Sequence, residues 1–243
     1  MNPVCLAIGG SDSCSGAGIQ ADLRVFDALG IRGCSAITAM TAQNPKEITH
    51  IESVSLAHLD AELQAVFDYY DVTTVKTGML LDAEHVAIVV ASLQQNHVGK
   101  HFILDPVMFA SSGAELLDTG GRAAVTHALV PLATLITPNR EEAAFWLKHP
   151  VNIAEEDALA LARQLDTPVL LKGGHTDGDV LKDVFAAPDG VIKAFEHPRK
   201  AWDEDKLHGT GCRLAAAIAG HLALGEELLK AVQKGIATAQ KAA

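Results

Sequence analysis

Aromatic residues and positive charge are both scarce in this sequence of 243 residues. Aromatic side chains make up only 5% of the chain although 49% of its residues are hydrophobic. The core must therefore be built from Ala, Val, Leu and Ile, as in layered α/β proteins. Lysine and arginine number 19 against 30 acidic residues, which gives a net charge of −11. This acidity argues against nucleic acid or an anionic membrane as the main partner, so any phosphate-binding site must be local.

Paired cysteines and long apolar runs are missing as well. The four cysteines are scattered, at Cys5, Cys14, Cys34 and Cys212. They form no C-x-x-C pair and the chain does not begin with a secretory pattern, so we expect reduced thiols and a cytoplasmic location. No apolar run reaches about 18 residues, which excludes a membrane-spanning helix. No break in composition divides the chain, and we predict a single domain over residues 1–243.

Hydrophobic periodicity predicts strands and helices in alternation. We predict strands at 3–8, 33–39, 74–76, 102–104, 134–136 and 168–171. We predict helices from Ser15 as the cap to Gly30, at 56–70, 82–95, 118–129, from Pro138 to Leu147, and at 155–165, 210–224 and 226–240. Residues 179–187 and 191–197 read as a β-hairpin. The alternation predicts a three-layer α/β/α fold with a mostly parallel central sheet.

Polar residues follow most of the predicted strands. They are Asp12, Gln43, Lys76, Asp105, Asn139 with Glu142, Lys172, and the turn 209–212. We expect them to meet, because the carboxyl ends of parallel strands share one edge of the sheet. Asp105 and Glu142 offer the oxygen ligands that Mg²⁺ prefers, directly or through water, and Lys172 can neutralise a phosphate. Taken singly, each carboxylate would more often be a helix cap or a solvated loop charge.

The glycine-broken turn at 209–212 runs directly into an alanine-rich helix. Gly209 and Gly211 allow the backbone amides from Gly209 through Thr210 to Cys212 to converge on one point, which suits an anion such as phosphate. We expect the helix N-terminus to lower the pKa of Cys212 and so to favour its thiolate. The alternative is a glycine-rich turn before a core-packing helix.

Two further patterns are weak. Residues 16–21 match G-x-G-x-x-A, the dinucleotide fingerprint, but the first glycine lies well past the strand and no acidic residue closes the next strand. His97 and His101 are spaced as metal ligands on a helix, yet Gly99 lies between them and no third ligand is nearby. No Walker A motif is present, so ATP would have to be held by another architecture.

Motifs spread over nearly the whole chain together resemble one known family. They are Gly9-Gly-Ser-Asp-Ser13, Gly16-Ala-Gly-Ile-Gln-Ala-Asp22, Thr41-Ala-Gln-Asn44, Lys76-Thr-Gly-Met79, Asp105-Pro-Val-Met108 with Ser112-Gly113, Thr137-Pro-Asn139 with Glu142, Lys172-Gly-Gly-His175 and His208-Gly-Thr-Gly-Cys212. In this order and spacing they resemble the hydroxymethylpyrimidine/phosphomethylpyrimidine kinases of thiamine biosynthesis, members of the ribokinase-like superfamily.

The resemblance implies ATP-dependent phosphorylation of 4-amino-5-hydroxymethyl-2-methylpyrimidine, and then of its monophosphate to the pyrophosphate. It assigns Mg–ATP to Asn139, Glu142 and Lys172, with Asp105 at the same site, and assigns charge stabilisation to the amides of the 209–212 turn. Cys212 stands where sugar kinases of the superfamily carry an aspartate base. The resemblance also implies a homodimer, and it places residues 175–197 as a small hairpin beside the nucleotide.

On the substrate side, the carboxamide of Gln43 matches the ring nitrogen and the amino group of an aminopyrimidine. Asp22 would add an acceptor, and Met79 and Val107 would supply apolar walls. Arg213 departs from the family pattern, as do Lys206 and Leu207. It is either a partner for a phosphate already on the substrate or a surface arginine. A pyridoxal kinase and a non-catalytic ligand-binding regulator are the competing functions.

Overall fold

The computed structural model describes residues 2–96, 100–110, 113–152, 154–173, 179–200 and 208–241. In these residues the strands are β1 Val4–Asp12, β2 Arg32–Gln43, β3 Ile48–Ser53, β4 Val72–Thr77, β5 His101–Leu104, β6 Leu135–Ile136, β7 Val169–Leu171, β8 Val180–Ala186 and β9 Ile192–Pro198. The helices are α1 Gly18–Ala28, α2 Leu56–Tyr69, α3 Ala83–Asn96, α4 Thr119–Ala124, α5 Arg140–Leu147, α6 Glu155–Leu165, α7 Thr210–Ala223 and α8 Leu228–Ala239.

The described strands form one nine-stranded sheet in the order β3-β2-β1-β4-β5-β6-β7-β8-β9. The six strands from β2 to β7 in this order are parallel, whereas β3, β8 and β9 are antiparallel to their neighbours. The chain moves to one side of β1 to form β2 and then to the other side to form β4. This reversal opens a crevice at the carboxyl ends of β1 and β4, where ligands bind in open α/β sheets.

Helices cover both faces of the sheet. One core joins strand residues such as Leu6 and Leu104 to α2, α3, α5 and α6. The second core joins Cys5 and Ile103 to α1, α7 and α8. Successive strand residues point to opposite faces, and both faces are buried, so the first half of β1 and all of β7 are continuous apolar runs. The prediction of a three-layer α/β/α fold with a mostly parallel sheet is confirmed.

The boundaries differ from the predictions mainly near the first loop. The first helix begins at Gly18, not at Ser15, which lies in a left-handed turn with φ of 65°. The Asp12 carboxylate reaches the Ala17 amide at 2.7 Å and takes the place of a local cap. Strand β2 continues to Gln43 because β3, which the sequence did not predict, pairs with it. β3 is a mostly exposed edge strand, so it carries little hydrophobic signal.

The other elements lie within a few residues of their predicted positions. Asp118 caps α4 by accepting a hydrogen bond from the Gly121 amide, as the predicted start required. That helix then widens into a π-helical turn at Val125–Leu129 and ends in a 3₁₀ turn at Val130–Leu132. β8 and β9 form the predicted hairpin. No helix in the described parts of the chain is both long and apolar enough to cross a bilayer.

The close packing of α7 on α8 leads to a stability prediction. A Cβ atom at Gly235 would lie 2.5 Å from Ile218 Cγ1 and 3.1 Å from the Ile218 backbone nitrogen. We expect Gly235→Ala to lower the free energy of unfolding by about 1–3 kcal/mol through overpacking. At Gly120 in α4 the nearest atoms are 3.5 Å away. The matched control Gly120→Ala should therefore be neutral, or stabilising by up to about 1 kcal/mol through helix propensity. Urea unfolding of both variants measures the difference, and equal effects would contradict it.

Candidate active site

The carboxyl edge of the sheet brings the polar residues together, as predicted from the strand ends. Asp12 ends β1, Lys76 is the second-last residue of β4, and Asp105 directly follows β5. Lys172 follows β7, and the N-terminus of α7 faces it across the crevice. Several of these groups are charged and almost fully buried, so each needs a partner inside the protein.

Lys172 and Asp105 form an ion pair at the centre of this edge. Lys172 Nζ lies 2.8 Å from Asp105 Oδ1, and the Asp105 side chain is 2% exposed. The Thr137 hydroxyl donates to the same oxygen at 3.1 Å. Burial alone would lower the pKa of Lys172, but the neighbouring charges of Asp105 and Glu142 hold that pKa above its ordinary value. Lys172 is therefore a permanent cation at neutral pH.

Gly173, directly after Lys172, is hydrogen-bonded to the β8–β9 hairpin. The Gly173 amide donates to Asp183 Oδ1 at 2.8 Å, and Asp183 Oδ2 lies 3.0 Å from His197 Nε2. Any Cβ at Gly173 would lie 2.0 Å from the Lys182 carbonyl oxygen, so only glycine fits here. The hairpin therefore contacts the chain immediately beyond the central lysine.

Asn139 and Glu142 form a capping box at the start of α5. The Glu142 amide donates to Asn139 Oδ1 at 2.9 Å, and the Asn139 amide donates to Glu142 Oε2 at 2.8 Å. Glu142 Oε1 also accepts from the Met108 amide at 3.2 Å. Burial, opposed by Lys172 and reinforced by Asp105, raises the pKa of Glu142 to about 7. Glu142 is thus both a helix cap and an ionisable neighbour of the ion pair.

The turn at 209–212 adopts a glycine-dependent conformation. Gly209 has φ of 78°, and a Cβ there would lie 2.1 Å from the Gly16 carbonyl oxygen. Thr210 is the first residue of α7, whose leading amides have no partner within the helix. A Cβ at Gly211 would lie 3.3 Å from Lys172 Nζ, so the ammonium group stands at this helix N-terminus. Converging amides beside a cation form a site suited to phosphate.

The pKa of Cys212 is shifted in the direction opposite to the one that we predicted from the sequence. Burial, together with the charges of Asp105 and Asp22, raises the pKa of Cys212 above its ordinary value of 9.0, although Lys76 favours the thiolate. The expectation of a lowered pKa was wrong because it considered the helix end but not the burial of the thiol or the carboxylates near it. At neutral pH the group is predominantly a thiol.

Asp22 and Lys76 form a second, deeper ion pair. Lys76 Nζ lies 2.8 Å and 3.0 Å from the two carboxylate oxygens of Asp22, and both side chains are 1% exposed. Burial raises the pKa of Asp22 to about 6, which leaves the carboxylate ionised at neutral pH. Both Asp22 oxygens already accept hydrogen bonds, so this geometry favours a role in holding Lys76 over direct acceptance from a substrate.

The residues predicted for the pyrimidine lie at the same edge. Met79 and Val107 belong to one small apolar cluster with Ala39 and Leu116. Gln43 ends β2, where its amide and carbonyl are bonded to the Ser13 hydroxyl at 2.9 Å. Burial opposes ionisation of Asp12, but hydrogen bonds from the Ala17 amide and the Gln43 side chain lower the pKa of Asp12. The structure therefore brings the two apolar walls together and places the Gln43 side chain beside Asp12.

The sequence of this chain and its fold both match known proteins. The sequence profile of the phosphomethylpyrimidine kinase family matches residues 12–243. The hydroxymethylpyrimidine/phosphomethylpyrimidine kinase of Rhizobium meliloti is 41% identical over 239 residues, covering 96% of this chain and 87% of that protein. The chain belongs to the phosphomethylpyrimidine kinase family. The predicted family is thereby confirmed.

Solved structures agree with this membership of the phosphomethylpyrimidine kinase family. The crystal structure of phosphomethylpyrimidine kinase from Clostridium difficile has a TM-score of 0.85 and 34% identity, covering 99% of each chain. The pyridoxal kinase of Staphylococcus aureus, in complex with AMP-PCP and pyridoxal, has a TM-score of 0.85 and 26% identity, covering 99% of this chain and 87% of that one. The fold is thus shared with a phosphomethylpyrimidine kinase and with a pyridoxal kinase.

For some residues of the candidate site, the sequence analysis predicted no role. Lys76 was noted as polar at a strand end, but its pairing with Asp22 depends on two elements far apart in sequence. The Thr137 hydroxyl likewise donates a hydrogen bond to Asp105, a residue far from it in sequence. Arg213 is 8% exposed and donates to the Gly16 carbonyl at 3.3 Å, so the surface-arginine alternative was wrong. Predicted motif residues Ser112, His175, Lys206 and Leu207, and also His97, lie outside the described residues.

The buried Asp22–Lys76 pair leads to a prediction about stability. We expect Asp22→Asn to lower the free energy of unfolding by about 3–5 kcal/mol, because Lys76 is left as an uncompensated buried charge. The double variant Asp22→Leu/Lys76→Met should recover most of that loss. Glu155→Gln breaks the exposed pair with Lys182 and should cost at most about 1 kcal/mol. Urea unfolding of the four proteins tests this. A loss in Asp22→Asn no larger than in Glu155→Gln would contradict the prediction.

Proposed function

We propose that this chain transfers the γ-phosphoryl group of ATP to the hydroxymethyl oxygen of 4-amino-5-hydroxymethyl-2-methylpyrimidine, and then phosphorylates the monophosphate to the pyrophosphate. The observation that carries this proposal is the placement of Lys172 at the N-terminus of α7. The fixed cation there lies beside the leading amides of the helix, which have no partner within the helix. Membership of the phosphomethylpyrimidine kinase family supports the substrate class.

The chemistry follows from these charges. The substrate hydroxyl oxygen attacks the γ-phosphorus, the bond to the β–γ bridging oxygen breaks, and ADP leaves with the electron pair. Lys172 and the amides of Gly209, Thr210, Gly211 and Cys212 stabilise the charge on the transferred group. The hydroxyl proton needs an acceptor, and Cys212 is the residue at the superfamily position for one. Its raised pKa makes its thiolate a minor species at neutral pH.

The carboxylates at this site fit a magnesium ion. Asp105 Oδ1 accepts from Lys172 and Thr137, whereas Oδ2 has no hydrogen-bond partner among the described residues. Glu142 supplies a second carboxylate, and burial raises its pKa to about 7 although Lys172 opposes the shift. We infer that Asp105 holds Mg²⁺ and that Glu142 orders its water shell. When bound, Mg²⁺ would neutralise phosphate charge and orient the triphosphate.

The apolar cluster supports an aromatic heterocycle as substrate. Met79 Sδ would lie 3.1 Å from a Cβ placed at Gly10, so glycine leaves room for the thioether beside β1. Met79 and Val107 would pack on the ring while Gln43 pairs with its nitrogen and amino group. Asp22 would act indirectly, by holding Lys76 in position. The homodimer and the cytoplasmic location remain proposals that rest on family resemblance and cysteine pattern.

Phosphorylation of pyridoxal is the second candidate. Its support is the structural likeness to pyridoxal kinases, at lower identity than the likeness to phosphomethylpyrimidine kinase. Pyridoxal has a similar hydroxymethyl group but no amino group beside a ring nitrogen for Gln43 to recognise. A non-catalytic regulator would have little need for the Lys172–Asp105 pair at the glycine turn.

A substrate assay tests the proposed function. We expect ADP release with Mg–ATP to require the aminopyrimidine, with kcat/KM at least about tenfold above that for pyridoxal, because the paired hydrogen bonds are lost with pyridoxal. Lys172→Met should lower kcat by about 10²–10³-fold, whereas Lys182→Met, at an exposed position on β8, should not. Equal rates with both substrates would favour a dual vitamin kinase. Absence of ADP release with either would support the regulator.

The raised pKa of Cys212 predicts a specific pH profile. If the thiolate accepts the hydroxyl proton, log kcat/KM should rise with pH up to and beyond the ordinary thiol value of 9.0. Cys212→Ser should lower kcat by about a hundredfold and remove this limb. Cys34→Ser, a partly buried thiol on β2, is the matched control and should leave both unchanged. Full activity with the same profile in Cys212→Ser would reduce the thiol to a packing group and leave catalysis to the amides.

A further inference from the structure

Three side chains with different metal-binding atoms meet beside the first loop. Asp12 ends β1, Cys14 lies in the turn that follows it, and His208 precedes α7. Asp12 Oδ2 lies 3.0 Å from His208 Nε2 and 3.6 Å from Cys14 Sγ. One ligand atom from each residue lies within 4.8 Å of the other two. Asp12 and His208 lie within two of the motifs that carry the family resemblance, but the proposed transfer reaction gives no role to either of them or to Cys14.

We propose that Asp12, Cys14 and His208 form a binding site for a borderline-soft divalent cation such as Zn²⁺, separate from the Mg²⁺ that accompanies ATP. A tetrahedral Zn²⁺ with oxygen and nitrogen at about 2.0–2.1 Å and sulfur at about 2.3 Å sets its ligands about 3.3–3.6 Å apart. The observed 3.0 Å and 3.6 Å separations differ from these by only a few tenths of an ångström. Small rotations of the side chains would admit the ion.

The ligands are held in place before any ion binds. Asp12 is 2% exposed, and its carboxylate accepts from the Cys14 amide at 2.9 Å and the Ala17 amide at 2.7 Å. The His208 ring packs directly on Gly16, where a Cβ would lie 2.4 Å from His208 Cδ2. A glycine is thus required for the imidazole to reach the carboxylate. Such fixed ligands reduce the entropic cost of binding a metal.

The site is accessible from solvent. Cys14 is exposed, and a cavity of about 310 Å³ is lined by Cys14, Gly16, Pro45 and His208. The cavity leaves room for water as a fourth ligand, the arrangement of an open zinc site. Ion binding would release the thiol proton of Cys14, since the thiolate is the ligand, and would leave the His208 proton on Nδ1.

The donor set determines which ion is favoured. Thiolate and imidazole suit Zn²⁺ and Co²⁺, whereas Mg²⁺ demands oxygen ligands in an octahedral arrangement. Asp105 and Glu142 offer only carboxylate oxygens. That pair would therefore favour Mg²⁺, whereas Asp12, Cys14 and His208 would favour Zn²⁺. The proposal is independent of the kinase assignment, because it concerns binding alone.

Titration of the full chain with Co²⁺, without nucleotide or Mg²⁺, tests the site. We expect a thiolate-to-cobalt charge-transfer band in the near ultraviolet that saturates at a single equivalent. Cys14→Ser should abolish the band. The controls Cys34→Ser and Cys212→Ser should keep it, which would show that the sulfur is that of Cys14. A band that survives in Cys14→Ser, or disappears in Cys212→Ser, would overturn the proposal.

Zinc affinity provides a second measurement, through competition with a chromophoric chelator. We expect Cys14→Ser and His208→Asn each to weaken Zn²⁺ binding by at least about tenfold, the loss that removal of even an outer-shell partner produces. His50→Asn, at an exposed histidine, is the matched control and should be unchanged. Circular dichroism confirms that each variant is folded. Equal affinity in all variants, or displacement of Co²⁺ by excess Mg²⁺, would show that no such site exists.

Discussion

The candidate active site depends on two lysine–aspartate ion pairs that stabilise charge away from water. Lys172 with Asp105 and Lys76 with Asp22 place four charged groups at the carboxyl edge of the sheet, almost out of contact with water. An isolated charge in such a place would be neutralised or would unfold the region, so each group depends on its partner. The pairs allow the protein to hold cations ready for phosphate in a chain whose net charge is −11.

The same burial opposes ionisation of the groups without a dedicated partner. Glu142 and Cys212 both have raised pKa values, and in both cases burial is the largest cause. A further positive charge beside either group would favour its negative form, so binding of a cation there would be coupled to release of a proton.

Much of the fold could be predicted because local and global signals agree in this chain. The apolar runs of β1, β5 and β7 and the helical periodicity of α6 each reflect burial that the final fold provides. β3 was not predicted because an exposed edge strand has little hydrophobic pattern. The start of α1 was predicted too early because the group that caps it is Asp12, which lies across a loop.

The candidate site was predictable as a set of positions but not as a set of contacts. We identified Asp105, Glu142 and Lys172 because each follows a predicted strand. That prediction required only the topology of the sheet. The pairing of Asp22 with Lys76 joins residues 54 apart in sequence, and the Asp12–His208 contact joins residues 196 apart. The direction of the Cys212 pKa shift likewise required knowledge of which carboxylates surround the thiol. Such facts depend on three-dimensional proximity, for which a single sequence has no local signal.

The contact between Gly209 and Gly16 has a consequence for the synthesis of the protein. The turn at 209–212 rests on the loop at Gly16, although the two are far apart in sequence. One face of the sheet is covered by α1 together with α7 and α8, and both α7 and α8 follow every strand in sequence. During translation, most of that apolar face has no helix to cover it until α7 and α8 have been synthesised. Exposed apolar surface of this kind promotes aggregation, from which chaperones protect a growing chain.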